Sequence, residues 1–277
     1  MNFYEYRFNR QELLQKAEEL APQYQKAYPF PHIVIDNFFD DKILEQVLEE
    51  FPDAHQIDWQ RYNSPNERKL ACNKEEEFGN KTLHFIHMLN SSIFIEFLEK
   101  LTGIQNLIPD QNLIGGGLHQ ILPGGLLKIH ADFNLHPKTK LSRRLNVLIY
   151  LNKNWKEEYG GHFELWDTEM KACRVKVLPI FNRMAIFSTT STSYHGHPDP
   201  LTCPEGMSRK SIAMYYYTNG RPENEIIAGL EEHTTIFKPR DQNEKIAKNW
   251  RVIALKIARE TIPPFIYRKL SKWAGKS

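Results

Sequence analysis

The spacing of apolar residues changes character twice along the chain. Between Arg10 and Lys26, the residues Leu13, Leu14, Ala17, Leu20 and Ala21 recur at helical intervals. The run Pro31 to Phe39, with Ile33, Val34 and Ile35 at its centre, predicts a strand, and Asp40 or Asp41 then caps a helix that stops near Pro52. Ser64 to Gly79 reads as a polar loop. Phe85, Met88, Leu89, Ile93, Phe94, Phe97 and Leu98 predict one long helix from about Leu83 to Leu101. The N-terminal third is therefore mostly helical.

From Asn112 to Thr218 the chain breaks into short runs rich in aliphatic and aromatic residues. These are Leu118 to Leu122, Leu126 to His130, Leu145 to Leu151, His162 to Trp166, Cys173 to Leu178, Met184 to Ser188, Ser191 to His195 and Ser211 to Tyr217. Turn signals at Pro123-Gly124-Gly125, Gly160-Gly161 and Pro204-Glu205-Gly206 separate them. So many short strands in a row imply an antiparallel sandwich or barrel. After Arg221 helical periodicity resumes, with Ile246, Trp250, Ile253 and Ile257, and Pro263-Pro264 interrupts it. The chain reads as one domain over 1–240, with a helical support over about 1–111 and a β core over about 112–218, followed by a helical tail over 241–277.

Composition narrows the class. With 41% hydrophobic and 25% charged residues in 277, the chain can bury a sizeable core, and disordered and fibrous classes are excluded. The formal net charge of +2 gives no reason to expect a nucleic acid as partner. Cys72, Cys173 and Cys203 are far apart and form no C-x-x-C, which argues against a disulfide framework or a cysteine zinc site and for a reducing compartment. No stretch approaches the roughly 18 apolar residues of a membrane span. The expected location is the cytoplasm.

The histidines carry the candidate chemistry. His130-Ala131-Asp132 is an H-x-D at the end of a predicted strand, where residues two apart point to the same side and can bind one ion. A second H-x-D, His197-Pro198-Asp199, lies in a proline-rich turn with less fixed side-chain directions, so the first is favoured. A facial triad for ferrous iron needs one further imidazole and leaves positions open for oxygen and an organic co-substrate. His195, on a later strand, is the candidate third ligand.

Together with the strand Arg144 to Asn152, the Gly160-Gly161 turn, Phe163-Glu164-Leu165-Trp166, Tyr194-His195-Gly196 and Ser208-Arg209-Lys210-Ser211, this arrangement resembles the iron(II)/2-oxoglutarate dioxygenases of the prolyl 4-hydroxylase-like branch. Pro29 to Phe39 also resembles the strand that often opens such domains. The resemblance implies an α+β fold built on a double-stranded β-helix, the jelly-roll or cupin-like barrel. It implies Fe(II) held by His130, Asp132 and His195, and 2-oxoglutarate and O2 as co-substrates. Arg209, assisted by Ser211, would pair with the distal carboxylate of 2-oxoglutarate, and a substrate would be hydroxylated as 2-oxoglutarate is decarboxylated to succinate and CO2. The branch usually has a tyrosine three positions before the H-x-D histidine, where this chain has Leu127. Gln120 and Asn146 are the candidates for that contact.

Other features keep plainer readings. His119, His136, His162, His197 and His233 are expected to be structural, with His136 and His197 placed where they could line the pocket. Arg143-Arg144 reads equally as a solvated strand end or a substrate-facing charge, and Tyr215-Tyr216-Tyr217 as core alternating with surface. Residues 245–277 hold nine basic and one acidic residue, a net of +8, which leaves −6 on the first 244. This basic amphipathic element suits either packing on the domain or peripheral contact with an anionic membrane at its inner face. The segment Pro263 to Arg268 is similar to terminal segments of bacterial cell-surface glycan-modifying enzymes. The substrate is thus expected to be a peptide or a glycan, and the sequence fixes no oligomeric state. The rival readings are a non-catalytic cupin-type metal-binding barrel and a membrane-surface adaptor acting through the basic tail.

Overall fold

A computed structural model describes residues 6–247. Four helices, α1 (Arg10–Gln25), α2 (Asp41–Glu49), α3 (Asn80–Leu89) and α4 (Ser92–Thr102), accompany thirteen strands. The strands are β1 (His32–Asp36), β2 (Gln60–Asn63), β3 (Glu67–Cys72), β4 (Ile108–Pro109), β5 (Gly117–Ile121), β6 (Leu126–Ala131), β7 (Ser142–Tyr150), β8 (Phe163–Trp166), β9 (Cys173–Val177), β10 (Arg183–Ser188), β11 (His195–His197), β12 (Arg209–Thr218) and β13 (Ile236–Phe237). All pair antiparallel in one sheet of order β1-β10-β7-β12-β5-β3-β6-β11-β8-β9, with β2, β4 and β13 attached at its sides. The sheet curls on itself until Phe163 of β8 meets Phe187 of β10 at 5.2 Å between ring centroids, giving a nearly closed barrel.

The two faces of β12 show how the barrel is built. Ile212, Met214 and Tyr216 point outward and join Leu145, Val147 and Ile149 of β7 in a core shared with Phe85, Phe94, Phe97 and Leu101 of the helices. Burial of each side chain of this size contributes about 1.5–3 kcal/mol. Arg209, Ser211 and Tyr215 point inward and line a cavity. Strand alternation thus sends one set of residues to stability and the other to chemistry. The helices support one wall of the barrel, as the sequence indicates, and among the described residues none is long and apolar enough to cross a membrane.

Several sequence expectations are corrected. The polar loop over Ser64 to Gly79 contains β3, which pairs with β5 and β6 inside the sheet. Its charged residues Glu67, Arg68 and Lys69 masked the buried Leu70, Ala71 and Cys72. The single long helix is two, because α3 ends at Asn90 and the Ser91 hydroxyl accepts a hydrogen bond from the Phe94 N–H to start α4. The strand expected over Ser191 to His195 begins only at His195. Before it, Ser193 Oγ accepts from the Thr190 N–H and donates to the Thr190 carbonyl, so side chains take up the backbone groups a strand would pair. Between Pro222 and Ala247 there is a single short 3-10 turn, Glu223–Glu225, and β13, with no α-helix. The predicted helical tail lies outside the described residues from Lys248 onward.

One polar side chain ties the helical support to the barrel. Asn182, with φ of 55°, accepts from the Phe39 N–H at 3.2 Å and donates to the Phe39 carbonyl at 2.8 Å and to Asp41 at 2.6 Å. Replacing a buried amide with these contacts, at a left-handed backbone position, leaves several groups unpaired. Asn182→Ala is expected to lower the unfolding free energy by about 2–4 kcal/mol in urea titrations. A loss within experimental error would mean that this junction does not hold the two parts together.

Candidate active site

His130 and Asp132 sit at the end of β6, and His195 on β11 is the direct cross-strand partner of His130. Their ligand atoms all lie within 4.8 Å of one another. Each imidazole is turned the same way: His130 Nδ1 contacts the Lys128 carbonyl at 2.8 Å and His195 Nδ1 the Ser193 carbonyl at 2.9 Å. Nδ1 therefore carries the proton, and both Nε2 atoms face Asp132, at 3.5 and 3.4 Å from its two oxygens. Burial, reinforced by the neighbouring His195, lowers the His130 pKa, which keeps its lone pair available. Two imidazoles with their Nε2 atoms turned inward and a carboxylate, converging from two strands, fit a divalent transition metal such as Fe(II).

The Asp132 carboxylate is only 12% exposed. Burial pushes its pKa up, but the neighbouring charges, that of Arg143 first, and the contacts of the His195 and His130 rings outweigh it and hold the group well below the usual carboxylate range. Arg143 Nη2 lies 3.0 Å from Asp132 Oδ2, near enough for an ion pair without hydrogen-bond alignment. Asn146 completes the group, donating to Asp132 at 2.8 Å and accepting from Arg143 Nε at 2.9 Å. The guanidinium is clamped between Tyr215, 3.5 Å from its ring centroid, and Phe133, at 4.5 Å.

Arg143 is therefore neither a solvated strand end nor a substrate-facing charge, and only 1% of it is exposed. It reaches the cavity through a β-bulge. Along the β7–β12 ladder Tyr216 pairs with Leu145 while Tyr217 pairs with Arg143, so Arg144 is an extra residue. Two positions from the outward-facing Leu145, Arg143 would otherwise share its face. Arg144 instead pairs with Glu225 and Thr218.

At the other side of the cavity stands Arg209, which is 4% exposed. Its Nε donates to the Gly161 carbonyl at 2.9 Å and its Nη2 to the Tyr150 hydroxyl at 3.4 Å. No carboxylate of the described residues counters its charge, and burial lowers its pKa against the opposing effect of Tyr150. Gly161, with φ of +70°, leaves room for this side chain, since a Cβ there would sit 3.0 Å from Arg209 Cδ. A buried guanidinium with neutral partners only is a site for an anion. Ser211 lines the same cavity beside it.

Of the other histidines, His197 lines the cavity, and burial first, then the charges of Arg209 and Lys69, hold its pKa well below the ordinary value. His136 does not line it: its Nε2 faces Asp110 at 3.4 Å and its ring packs on Tyr217. The second H-x-D does not converge, because Asp199 pairs with Arg240 at 2.8 Å. Asn146 is engaged by Asp132 and Arg143, and Gln120 donates to Ser208 at 2.9 Å. Tyr150 and Lys69 were not picked out from the sequence. The available signal was Asn146 and Tyr150 at even spacing within the apolar strand Leu145 to Tyr150. All of Tyr215, Tyr216 and Tyr217 are buried, on alternating faces.

Aromatic rings close the site. Phe187 and Phe163 lie 4.6 and 5.7 Å from the His195 ring, and Phe237 of β13 lies 5.5 Å from that of His130. The strand bearing Phe237 is held by a segment that Asn134 fastens through hydrogen bonds to Leu230, Glu231 and His233. A larger open groove of about 600 Å³ along Gln105 to Ile108, Arg144 and Arg221 contains no comparable set of donors.

Residues 116–217 match the family described as the 2OG-Fe(II) oxygenase superfamily. The matched stretch runs from β5 into β12 and contains all three candidate metal ligands. The chain is 24% identical over 196 residues to mouse prolyl 3-hydroxylase OGFOD1, an alignment covering 68% of this chain and 33% of that protein's length. It is also similar to the solved structure of a Trichoplax adhaerens prolyl hydroxylase in complex with a hypoxia inducible factor peptide fragment, with a TM-score of 0.58 and 19% identity over 78% of this chain and 96% of the other. The structure of HygX from Streptomyces hygroscopicus with nickel and 2-oxoglutarate bound gives a TM-score of 0.51 and 14% identity over 80% of this chain and 96% of the other. These likenesses agree with the double-stranded β-helix expected from the sequence.

Removing Arg143 should expose what it does for Asp132. Arg143→Met is expected to destabilise the metal-free protein by about 3–5 kcal/mol, because a buried carboxylate loses its counter-charge. A divalent cation then supplies the missing charge, so thermal unfolding should show a larger stabilisation by Mn(II) in the variant than in the wild type. Equal metal-induced shifts would contradict the charge-balancing role.

Proposed function

We propose that the chain is an iron(II)- and 2-oxoglutarate-dependent hydroxylase of a peptidyl substrate. In this reading His130, Asp132 and His195 hold the iron, while Arg209, assisted by Ser211, holds the distal carboxylate of 2-oxoglutarate. The observation that carries it is the presence in one cavity of a two-imidazole, one-carboxylate donor set and a buried guanidinium with no anionic partner. A metal-binding barrel without turnover accounts for the donor set and leaves the guanidinium unexplained.

When bound, Fe(II) supplies the redox chemistry that couples O2 and decarboxylation of 2-oxoglutarate to hydroxylation, giving succinate, CO2 and the alcohol. The protein's part is placement and exclusion. Backbone carbonyls fix the tautomers of His130 and His195, Arg143 and Asn146 orient the Asp132 carboxylate, and Arg209 fixes the far end of the co-substrate. Phe163, Phe187 and Phe237 keep water from the reacting side. The mouse relative's name and the peptide bound by the Trichoplax enzyme favour a peptide over a glycan. Leu127, in place of the usual tyrosine, is a departure from the prolyl 4-hydroxylase pattern, so the proposal names a peptide without naming proline.

Anaerobic addition of ferrous iron and 2-oxoglutarate is expected to produce a weak visible metal-to-ligand charge-transfer band, lost in His130→Ala and weakened in Arg209→Ala. No band from the wild type at saturating iron and co-substrate would refute the proposal. Succinate release in air, screened against peptide and glycan pools, should rise with peptides, and a rise with glycans alone would replace the substrate class.

A further inference from the structure

His197 is a buried polar residue that no described residue satisfies. It is 3% exposed, and among the described residues neither Nδ1 nor Nε2 has a hydrogen-bond partner. Buried side-chain nitrogens are nearly always paired, because an unpaired one keeps the cost of its lost hydration, so two on one ring call for a partner from outside. The ring lines the same cavity as Arg209 and the His130, Asp132 and His195 set.

The backbone holds it there. Two positions after His195 on a strand, His197 faces the same interior side. Its cross-strand partner is Leu127, reached through a one-residue shift in the β6–β11 ladder. Gly196 lets the strands approach this closely, because a Cβ there would meet the Leu127 carbonyl oxygen at 2.7 Å and the Lys128 carbonyl oxygen at 2.9 Å. His197 therefore brings a polar ring next to Leu127, which offers no polar group of its own.

We propose that His197 donates a hydrogen bond to the distal carboxylate of bound 2-oxoglutarate, sharing that carboxylate with Arg209. Neutral imidazole has one N–H donor, which suits a carboxylate oxygen, and Arg209 can fill the remaining lone pairs. The role rests on the co-substrate assignment made above. It adds a second anchor to that assignment and gives a reason for a histidine on the cavity side of β11.

The test compares two ligands across three proteins. Anaerobic titrations of the Fe(II)-loaded wild type, His197→Leu and His197→Gln are followed by the charge-transfer band, with 2-oxoglutarate and with 2-oxobutanoate, which lacks the distal carboxylate. His197→Leu should weaken 2-oxoglutarate binding about tenfold or more, as expected for loss of a hydrogen bond to a charged group. It should leave 2-oxobutanoate binding unchanged, and His197→Gln, which keeps an N–H donor, should recover most of the affinity. In the absence of co-substrate, His197→Leu should also raise the melting temperature, because it removes the unpaired nitrogens. Wild-type affinity for 2-oxoglutarate in His197→Leu, or equal weakening for both ligands, would overturn the assignment of His197 and leave the function standing. Failure of the wild type to bind 2-oxoglutarate at all would overturn both.

Discussion

A buried carboxylate has to be balanced, and the balancing of Asp132 organises this molecule. An isolated carboxylate in such a place would take up a proton and lose its ability to bind a cation. Here Arg143 supplies the opposing charge, and two aromatic rings and Asn146 fix the position from which it does so. The two imidazoles are then free to present lone pairs, because their other nitrogens are committed to backbone carbonyls. The opposite end of the cavity is built on the reverse principle. Arg209 is as buried as Arg143 and has only neutral partners. One charge is cancelled within the protein and the other meets only neutral groups, and that contrast gives the cavity its direction.

The fold makes this asymmetry affordable. β12 lies between β7 and β5 and carries aliphatic and aromatic residues on its helix-facing side while Arg209 and Ser211 face inward. The apolar contacts with the helices offset the cost of placing polar groups on the other face. Beyond the stretch that matches the family, the segment after Arg221 contributes as well, since β13 pairs with β6 and brings Phe237 against His130. The site is thus assembled from more of the chain than the part that matches the family.

The features legible in the sequence were those set by local pattern. Alternation and turn residues revealed the β core, and the H-x-D spacing with a later histidine revealed the three candidate ligands, because residues two apart on a strand necessarily share a face. Features set by non-local events were not legible. The β3 strand was hidden because its charged residues resemble a loop until the neighbouring strands are in place. Ser193 and Thr190 turned an expected strand into a side-chain-bonded turn. Arg143 could not be assigned, since its face depends on the single extra residue opposite Tyr216 and Tyr217. His197 reads as ordinary for a related reason: that its ring nitrogens have no hydrogen-bond partner among the described residues depends on the packing of distant strands, which leaves no local mark in the sequence.

The bulge at Arg144 lets two neighbouring arginines serve different parts of the molecule. On a ladder without the extra residue taken up, Arg143 and Leu145 would share a face; the bulge turns Arg143 to Asp132 and leaves Arg144 to hold Glu225 and Thr218. Deleting Arg144 would set Arg143 directly beside Leu145, where plain alternation still faces it inward, so Asp132 would keep its counter-charge while the tie to Glu225 would be lost. Two adjacent residues of one strand thus link the Asp132 carboxylate to the chain that follows the barrel.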